Sequence, residues 1–293
     1  MSSSYFPNGF LDLDPQYADV DQARFVVLPV AYDGTASYRK GACDGPGAII
    51  EASQQVELFD EELLAEFHHT GIHTHRTLDG RDLSPAEMHQ RILAAAKPLL
   101  ARDKFILALG GEHAITPPLI AAAQQKFPNL SVLQFDAHAD LRDTYQGTPF
   151  SHACVMRRIH DLNVPFASVG IRSYCRDQHA FIRDHNISIV TPQQVASDPR
   201  AAADTIIEQL TEEVYITFDI DALDPAIAPA TGTPEPGGLT YQDVLTLIRA
   251  LAHEKTLIAA DITEVKPIPG HRATEVLAAR LAYKIIAYTQ QHE

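Results

Sequence analysis

The chain has 293 residues, of which 45% are hydrophobic and 21% charged, the composition of an ordinary globular protein. Its 38 acidic side chains outnumber the 23 lysines and arginines, and the net charge of −15 makes binding to nucleic-acid phosphates an unpromising function. The sequence contains no apolar run of the roughly 18–20 residues needed to span a bilayer, so neither a membrane nor a nucleic acid is an expected partner.

Short β-branched apolar runs alternate with helical patterns along most of the chain. In chain order the predicted elements are a strand at Arg24–Val30, a helix from the Ser84 N-cap to about Ala101, a strand at Lys104–Leu109, a helix at Ile115–Lys126, a strand at Ser131–Phe135, a helix at Ser151–Asp161, strands at Phe166–Ile171, Ile187–Val190 and Val214–Phe218, a helix at Tyr241–His253, a strand at Thr256–Asp261 and a helix at Ala273–Tyr288. Continuous apolar strands of this kind are typical of parallel strands buried on both faces. We therefore expect an α/β fold, with one mostly parallel sheet between two helical layers, in a single domain over residues 1–293.

The segment Asp224–Gly238 has the Pro and Gly content of a linker. It lies directly between a predicted strand and a helix capped by Thr240, so we expect an ordered loop at the edge of the sheet. Ligands of open α/β sheets bind beyond the carboxyl ends of the strands, and the residues that follow each strand are therefore the first candidates for function.

Acidic and histidine side chains follow three of the predicted strands directly, in the motifs GGEH, DAHAD and DIDALDP. The candidate metal ligands in these motifs are His113, Asp136, His138, Asp140, Asp219 and Asp221. Residues two apart in an extended segment point to the same side, so the ligands of each motif should converge. Carboxylates dominate the set and no thiolate belongs to it, which favours a pair of Mn²⁺ ions over a structural Zn²⁺.

The order of these motifs resembles the ureohydrolase family, which comprises arginases, agmatinases, guanidinobutyrases and formiminoglutamases. The motifs that carry the resemblance are GGEH, DAHAD, DIDALDP, TGTPEPGG and DITEV, within about residues 25–290. The stretches VLPVAYDGTASYRKGACDGPGAIIEAS and DLRDTYQGTPFSHACVMRRI resemble the agmatinase branch in particular.

The resemblance implies a three-layer α/β/α fold and a centre of two Mn²⁺ per subunit that hydrolyses a guanidino compound to urea and an amine. By position, His113 and Asp140 would be terminal ligands of one ion, His138 and Asp221 would hold the other, and Asp136 and Asp219 would bridge them. A metal-bridging hydroxide would attack the guanidinium carbon, and the tetrahedral intermediate would then expel the amine.

Three further positions follow from the resemblance. Glu264 matches the family carboxylate that pairs with the substrate guanidinium and is a candidate catalytic residue, and Thr233 matches a position near the same site and is a candidate for substrate binding. Asp261 is expected to support the site without touching the substrate.

One position departs from the family pattern. Where the family has a His-Gly pair whose histidine carries a proton to the leaving amine, this chain has Gln146 and Gly147. An amide does not exchange a proton near neutral pH, so we predict that His152 takes this catalytic role. The same departure leaves open a degenerate member of the family that binds ligands without catalysis.

The substrate predicted first is agmatine, which would yield putrescine and urea and place the enzyme in polyamine metabolism. The segment between Asp140 and Gln146 is shorter than the arginase loop that reads an amino-acid head, and Asp143 is a candidate partner for the distal ammonium. Guanidinobutyrate and guanidinopropionate stay open because Arg142 would pair with a carboxylate. Guanidine and arginine stay open too, whereas the acidic composition disfavours formiminoglutamate.

The remaining features have ordinary explanations. The histidine-rich segment 67–75 is predicted to be a solvated loop, with fortuitous metal binding as the alternative, and no phosphate-binding or serine-hydrolase motif is present. Three widely spaced cysteines, together with a stretch before Arg24 that lacks the features of a signal peptide, predict a cytoplasmic protein. The family resemblance implies a homo-oligomer, either a trimer or a hexamer.

Overall fold

The computed structural model of the chain describes residues 9–290. Within that range nine strands form one sheet, in the order β4-β1-β6-β11-β10-β7-β8-β9 with β5 beside β1, and every pairing in it is parallel. The strands are β1 (Phe25–Ala31), β4 (Ile72–Thr74), β5 (Leu78–Asp79), β6 (Phe105–Gly110), β7 (Ser131–Phe135), β8 (Phe166–Val169), β9 (Ser188–Val190), β10 (Glu213–Asp219) and β11 (Thr256–Thr263). A short antiparallel hairpin of β2 (Phe59–Asp60) and β3 (Ala65–Glu66) lies outside the sheet.

Helices cover both faces of the sheet, and the predicted three-layer α/β/α architecture is confirmed. The helices are α1 (Pro15–Ala18), α2 (Gly45–Ser53), α3 (Pro85–Leu100), α4 (Thr116–Gln124), α5 (Val155–Asp161), α6 (Arg176–Asp184), α7 (Pro192–Ser197), α8 (Pro199–Ile207), α9 (Tyr241–Glu254) and α10 (Ala273–Tyr288). Helices α3 to α6 pack on one face and α2 with α7 to α10 on the other.

Alternate residues of each central strand enter opposite layers of the core. In β1, Phe25 and Val27 pack with the layer of α10, whereas Val26, Leu28 and Val30 pack with the layer of α3. Side chains alternate between the two faces of a strand, so a strand covered on both faces must be apolar throughout. The uninterrupted apolar runs in the sequence reflect this burial.

Capping residues define several helix ends where the sequence predicts them. Ser84 and Glu87 exchange hydrogen bonds in a capping box at the start of α3, and Thr240 caps α9. Helix α2 is not predicted from the sequence, because its Gly-Pro-Gly opening is typical of a turn. The predicted helix from Ser151 begins as a 3-10 turn at His152–Cys154 and becomes α-helical at Val155.

The predicted solvated loop at residues 67–75 is wrong. It contains a 3-10 turn and edge strand β4, and the side chains of His68 and His73 are buried. Three residues are too few to show a periodic pattern, and the contact that orders the segment is distant in sequence, since His73 Nδ1 lies 2.8 Å from the carbonyl oxygen of Ala18. In the described part of the chain, no helix combines the length and apolar character required to cross a membrane.

Candidate metal centre and active-site cavity

The carboxyl ends of four adjacent strands, β6, β11, β10 and β7, bring the predicted ligands together. His113 follows β6, Asp136 follows β7 and Asp219 ends β10. The turn after β6 requires glycine, because a Cβ on Gly111 would lie 2.0 Å from the carbonyl oxygen of Tyr32. All six candidate ligands meet at this edge of the sheet.

His113 lies at the centre of the first ligand group. Its Nδ1 atom is 3.1 Å from Asp136 Oδ2, 3.2 Å from Asp140 Oδ2 and 3.5 Å from Asp219 Oδ2. Although this nitrogen is buried, no hydrogen bond of acceptable geometry reaches it. One nitrogen and three carboxylate oxygens therefore converge on one point without a hydrogen bond to that nitrogen. This arrangement is better suited to binding a divalent cation than to direct contact among the four side chains.

His138 organises the second ligand group. Its Nδ1 atom lies 3.1 Å from Asp221 Oδ2 and 3.6 Å from Asp136 Oδ1. Asp136 therefore offers one oxygen to each group, the placement required of a carboxylate that bridges two cations. Thr233 donates a hydrogen bond of 3.2 Å to Asp221, so this predicted residue supports a ligand directly.

The four ligand carboxylates are 0–7% exposed and carry more negative charge than the site neutralises. Burial and the charge of Asp136 raise the pKa of Asp140 to about 6. Burial, with the charges of Asp221 and Asp136, raises the pKa of Asp219 well above its usual value. Cations bound between the carboxylates would offset this repulsion, and the residues present therefore fit a pair of divalent metal ions.

A buried polar network orients the imidazole of His113 from behind. Its Nε2 lies 2.8 Å from Thr217 Oγ1, and Thr217 donates a 2.7 Å hydrogen bond to Asp261. Asp261 also accepts hydrogen bonds from Tyr215 and Thr116. Partners of this kind fix the ring and select the nitrogen that faces a metal. Asp261 therefore lies behind His113, in contact with Thr217, a position that agrees with the predicted supporting role.

Two further residues, Gln134 and Arg172, support the ligands, although the sequence does not predict either of them. Gln134 donates a 2.8 Å hydrogen bond to Asp136 and accepts one of 2.7 Å from Ser168. Arg172 binds the backbone carbonyl oxygens of Asp221 and Glu235 at 2.8 and 2.7 Å, joining the ligand turn to the Pro/Gly-rich loop. Neither lies in a recognisable motif, because their partners become neighbours only in the folded chain.

Glu264 lies directly after β11, beside the ligands. It adopts a left-handed backbone conformation (φ +63°), and its Oε1 accepts a 2.8 Å hydrogen bond from the backbone N–H of His113. Burial and the nearby charge of Glu112 raise its pKa well above the usual value. A cationic group brought close to Glu264 would favour its ionised form.

A cavity of about 400 Å³ opens above the ligands. Its floor contains His113, His138, Asp140, Asp219 and Glu264, and its walls are Ser37, Arg142, Tyr145, His152, Ala153, Ser173, Tyr174, Cys175, Gln178 and Thr233. The cavity therefore combines a carboxylate-rich floor with a polar and aromatic wall, which suits a small polar ligand.

His152 lines the cavity, whereas Gln146 does not. Gln146 is exposed at the tip of a two-residue turn, with Tyr145 and Thr148 paired on either side of it. Burial is the main cause that lowers the pKa of His152 to about 4, and in the metal-free site the charges of protonated His113 and His138 add to it. A titratable imidazole is thus present at the cavity, and the glutamine faces solvent away from it.

The structure does not bring Asp143 into the cavity. Its carboxylate is exposed and forms ion pairs with Arg158 at 2.7 Å and Arg157 at 3.6 Å. Two guanidinium groups on α5 hold it outward, so it is not available to meet the distal ammonium of a substrate.

A second group of metal-ligand side chains lies outside the cavity, at the histidine-rich segment. Glu66 Oε2 is 3.3 Å from His69 Nε2 and 3.8 Å from His68 Nδ1. The carboxylate of this group, Glu66, lies immediately before the histidine-rich segment 67–75, which itself contains no acidic residue.

The family model of the arginase family matches residues 23–287. The chain belongs to the arginase family. The prediction of a ureohydrolase in the branch that contains agmatinases is confirmed, and with it that of a hydrolase acting on guanidino compounds.

Three relatives illustrate the similarity. The chain is 38% identical over 290 residues to the N(1)-aminopropylagmatine ureohydrolase of Synechocystis sp., covering 96% of this chain and 94% of the relative. It is 33% identical to the agmatinase of Pyrococcus horikoshii, over 94% of this chain and 95% of that one. The crystal structure of the agmatine ureohydrolase of Thermoplasma volcanium superposes with a TM-score of 0.88 at 27% identity, covering 98% and 96% of the two chains.

Proposed function

We propose that this ureohydrolase is a binuclear manganese enzyme that cleaves agmatine, or its N1-aminopropyl derivative, to urea and the corresponding amine. The observation that carries the proposal is the pair of ligand groups sharing Asp136 at the floor of a cavity that also contains Glu264. With agmatine the amine is putrescine, which would place the enzyme in polyamine metabolism.

The ligand set favours manganese. Oxygen donors from four carboxylates outnumber the two imidazoles, a balance that suits Mn²⁺ more than Zn²⁺. We assign His113 and Asp140 to one ion and His138 and Asp221 to the other, with Asp136 and Asp219 shared. When bound, the two ions would supply an activated water as nucleophile at neutral pH.

The chain's own side chains would orient the substrate and move a proton. The Glu264 carboxylate, which lines the cavity, would pair with the planar guanidinium and hold its carbon against the metal centre. Thr233 would help to keep the nearby ligand Asp221 in position. His152, at the cavity wall and neutral at pH 7, would accept a proton and deliver it to the leaving amine.

The exposed position of Gln146 weighs against a degenerate, non-catalytic protein. The lack of a histidine there removes nothing from the cavity, and His152 supplies an imidazole instead. The grouping of the six candidate metal ligands beside Glu264 also supports a catalytic protein.

Three observations favour N1-aminopropylagmatine as the second candidate substrate. Relatives bearing that name in Synechocystis sp. and Thermus thermophilus are 38% identical to this chain. The cavity of about 400 Å³ leaves room for a tail longer than that of agmatine. Tyr145 and Tyr174 on the wall offer aromatic faces to a cationic tail.

Urea release from the manganese-loaded protein tests the proposal. We expect kcat/KM to be highest for agmatine or N1-aminopropylagmatine among a panel that includes arginine, guanidinobutyrate, guanidinopropionate and guanidine. Asp136→Asn should lose bound manganese and activity together, because one bridging oxygen would be replaced by a neutral amide. No urea from any guanidino compound, with two metal ions bound, would overturn the proposal.

We further propose that residues 1–293 act as one domain in a cytoplasmic homo-oligomer, a trimer or a hexamer. The cysteines Cys43, Cys154 and Cys175 are all free thiols, which agrees with a reducing compartment. Light scattering on the purified protein would measure the number of subunits. The stretch before Arg24, on which the signal-peptide prediction depends, lies partly outside the described residues.

A further inference from the structure

We propose that Thr35 is a positioning residue that fixes the imidazole of His152 by linking it to the buried carboxylate of Glu112. The proposal rests on the function proposed above, in which His152 carries the proton to the leaving amine. It gives a role to the loop residue Thr35 and to the buried acid Glu112, neither of which is a candidate metal ligand.

Glu112 is fully buried beside the metal ligand His113 and directs both oxygens at the loop after β1. Its Oε2 accepts a hydrogen bond of 2.8 Å from the backbone N–H of Thr35, and its Oε1 accepts one of 2.7 Å from the Thr35 hydroxyl. Since a hydroxyl has only one proton to donate, Thr35 Oγ1 has only lone pairs left for other neighbours.

Two nitrogen atoms of His152 lie within hydrogen-bond distance of the Thr35 hydroxyl oxygen. Its backbone N–H donates to Thr35 Oγ1 at 3.0 Å, and its ring Nδ1 lies 3.2 Å from the same oxygen. Nδ1 must therefore carry the proton of the neutral ring, which leaves Nε2 as the basic nitrogen. Ser37 Oγ lies 3.3 Å from Nε2, and the ring of Tyr145 meets the imidazole edge-on at 5.9 Å. One tautomer and one ring orientation result.

Two variants of Thr35 test the link. Thr35→Val keeps the shape and removes the hydroxyl, so we expect kcat to fall about 10- to 100-fold with little change in KM. Thr35→Ser keeps the hydroxyl and should retain kcat within about threefold. A purely structural role would lower the melting temperature in both variants without separating kcat from KM.

The outcomes distinguish a failure of the proposed function from a failure of the positioning role of Thr35. A wild-type protein that releases no urea contradicts the proposed function itself. Activity that survives His152→Asn contradicts the role of His152. If His152 is required but Thr35→Val behaves like Thr35→Ser, the positioning role of Thr35 is refuted.

A different observation carries a second proposal. We infer that Glu66, His68 and His69 bind a divalent transition-metal ion, with Zn²⁺ as the best fit, at a site separate from the cavity. Their three ligand atoms lie within 4.8 Å of one another. Two imidazoles and a carboxylate suit Zn²⁺, whose remaining position would be taken by water.

Geometry and burial support this site. The 3.3 Å between Glu66 Oε2 and His69 Nε2 is close to the roughly 3.4 Å that separates two ligands of a tetrahedral ion with bonds of about 2.1 Å. His68 is 6% exposed, and its Nδ1, 3.8 Å from Glu66, has no hydrogen-bond partner. Tyr17 packs edge-on against both imidazoles, at 5.0 and 5.2 Å, which limits their movement.

Equilibrium dialysis of the manganese-loaded holoenzyme against Zn²⁺, followed by analysis of total metal, tests this site. We expect one more equivalent of metal in the wild type than in His69→Asn, with urea release unchanged by the substitution. His75→Asn is the matched control and should keep the extra equivalent, since that ring bonds locally to the carbonyl oxygen of Arg76. Equal metal content in the wild type and His69→Asn would refute the site.

Discussion

At the scale of single residues, buried carboxylates gathered around two imidazoles dominate the site. Asp136 faces both His113 and His138, while Asp219 and Glu264 are buried beside them. Asp140 and Glu264 both adopt left-handed backbone conformations, at φ +48° and +63°. Such conformations are costly for residues with a side chain, and they persist where the surrounding structure holds a functional group in place.

Glu264→Gln tests the most specific of the substrate assignments. The glutamine keeps the size of the side chain and an oxygen that can accept from the His113 N–H, but it loses the charge that pairs with guanidinium. We expect kcat/KM for the preferred substrate to fall about 100-fold, the value of one strong charge-assisted interaction.

Metal content is the control for that measurement, because Glu264 is not among the assigned ligands and manganese should remain bound. A variant that retains kcat/KM within a few-fold would contradict pairing between Glu264 and the guanidinium.

At the scale of elements, loops after parallel strands supply the functional side chains and a few long-range contacts fix the loops. Arg172 directs its guanidinium at carbonyl oxygens on three segments, those of Gly170, Asp221 and Glu235 among them. The planar fork of arginine suits several carbonyl acceptors at once, which a lysine ammonium does not reproduce. The Pro/Gly-rich segment is therefore an ordered loop, as predicted from its position between β10 and α9.

The sequence predicts elements best where the pattern is local. The limits of β7 and α10 agree with the predicted ones, and the caps at Ser84 and Thr240 lie as expected. The edge strand β4 and helix α2 were missed, since their stability comes from contacts with distant segments. Propensity carries little information for such short elements.

At the scale of the whole molecule, a partly exposed ionic group joins the hairpin of β2 and β3 to the last helix. Glu62 accepts hydrogen bonds from Lys284 at 2.8 Å and Tyr288 at 2.7 Å, and it pairs with Arg249 on α9. Lys284 also donates to the buried Asp60 at 2.8 Å. These contacts span more than 180 residues of sequence and connect the hairpin to α9 and α10.

This group predicts how acid affects stability. Burial opposes ionisation of Glu62, but its hydrogen bonds with Lys284, Tyr288 and Arg249 prevail and lower its pKa from 4.5 to about 2. A carboxyl with a depressed folded-state pKa contributes stability above its unfolded pKa and loses that contribution as the pH falls through its folded pKa. The contribution of Glu62 to the free energy of unfolding is therefore complete above about pH 4.5 and is lost as the pH falls towards about 2.

Denaturant unfolding of metal-free protein between pH 7 and pH 3 checks this prediction. Glu62→Gln should be less stable than the wild type at pH 7, and the difference should shrink as the pH falls. Exposed Glu57→Gln is the matched control and should unfold like the wild type throughout. A constant difference between Glu62→Gln and the wild type across the range would contradict the assignment.

The sequence by itself determined the sheet, the two helical layers, the family and the positions of the six candidate ligands. These depend on local patterns: apolar runs, caps and motifs at strand ends. Only the tertiary structure decided that Asp143 turns outward to two arginines, that Gln146 lies away from the cavity, and that Glu112, Thr35 and His152 form a chain. The side chains in those contacts are as many as 117 residues apart, and no local pattern specifies which distant groups compete for a hydrogen bond or a charge.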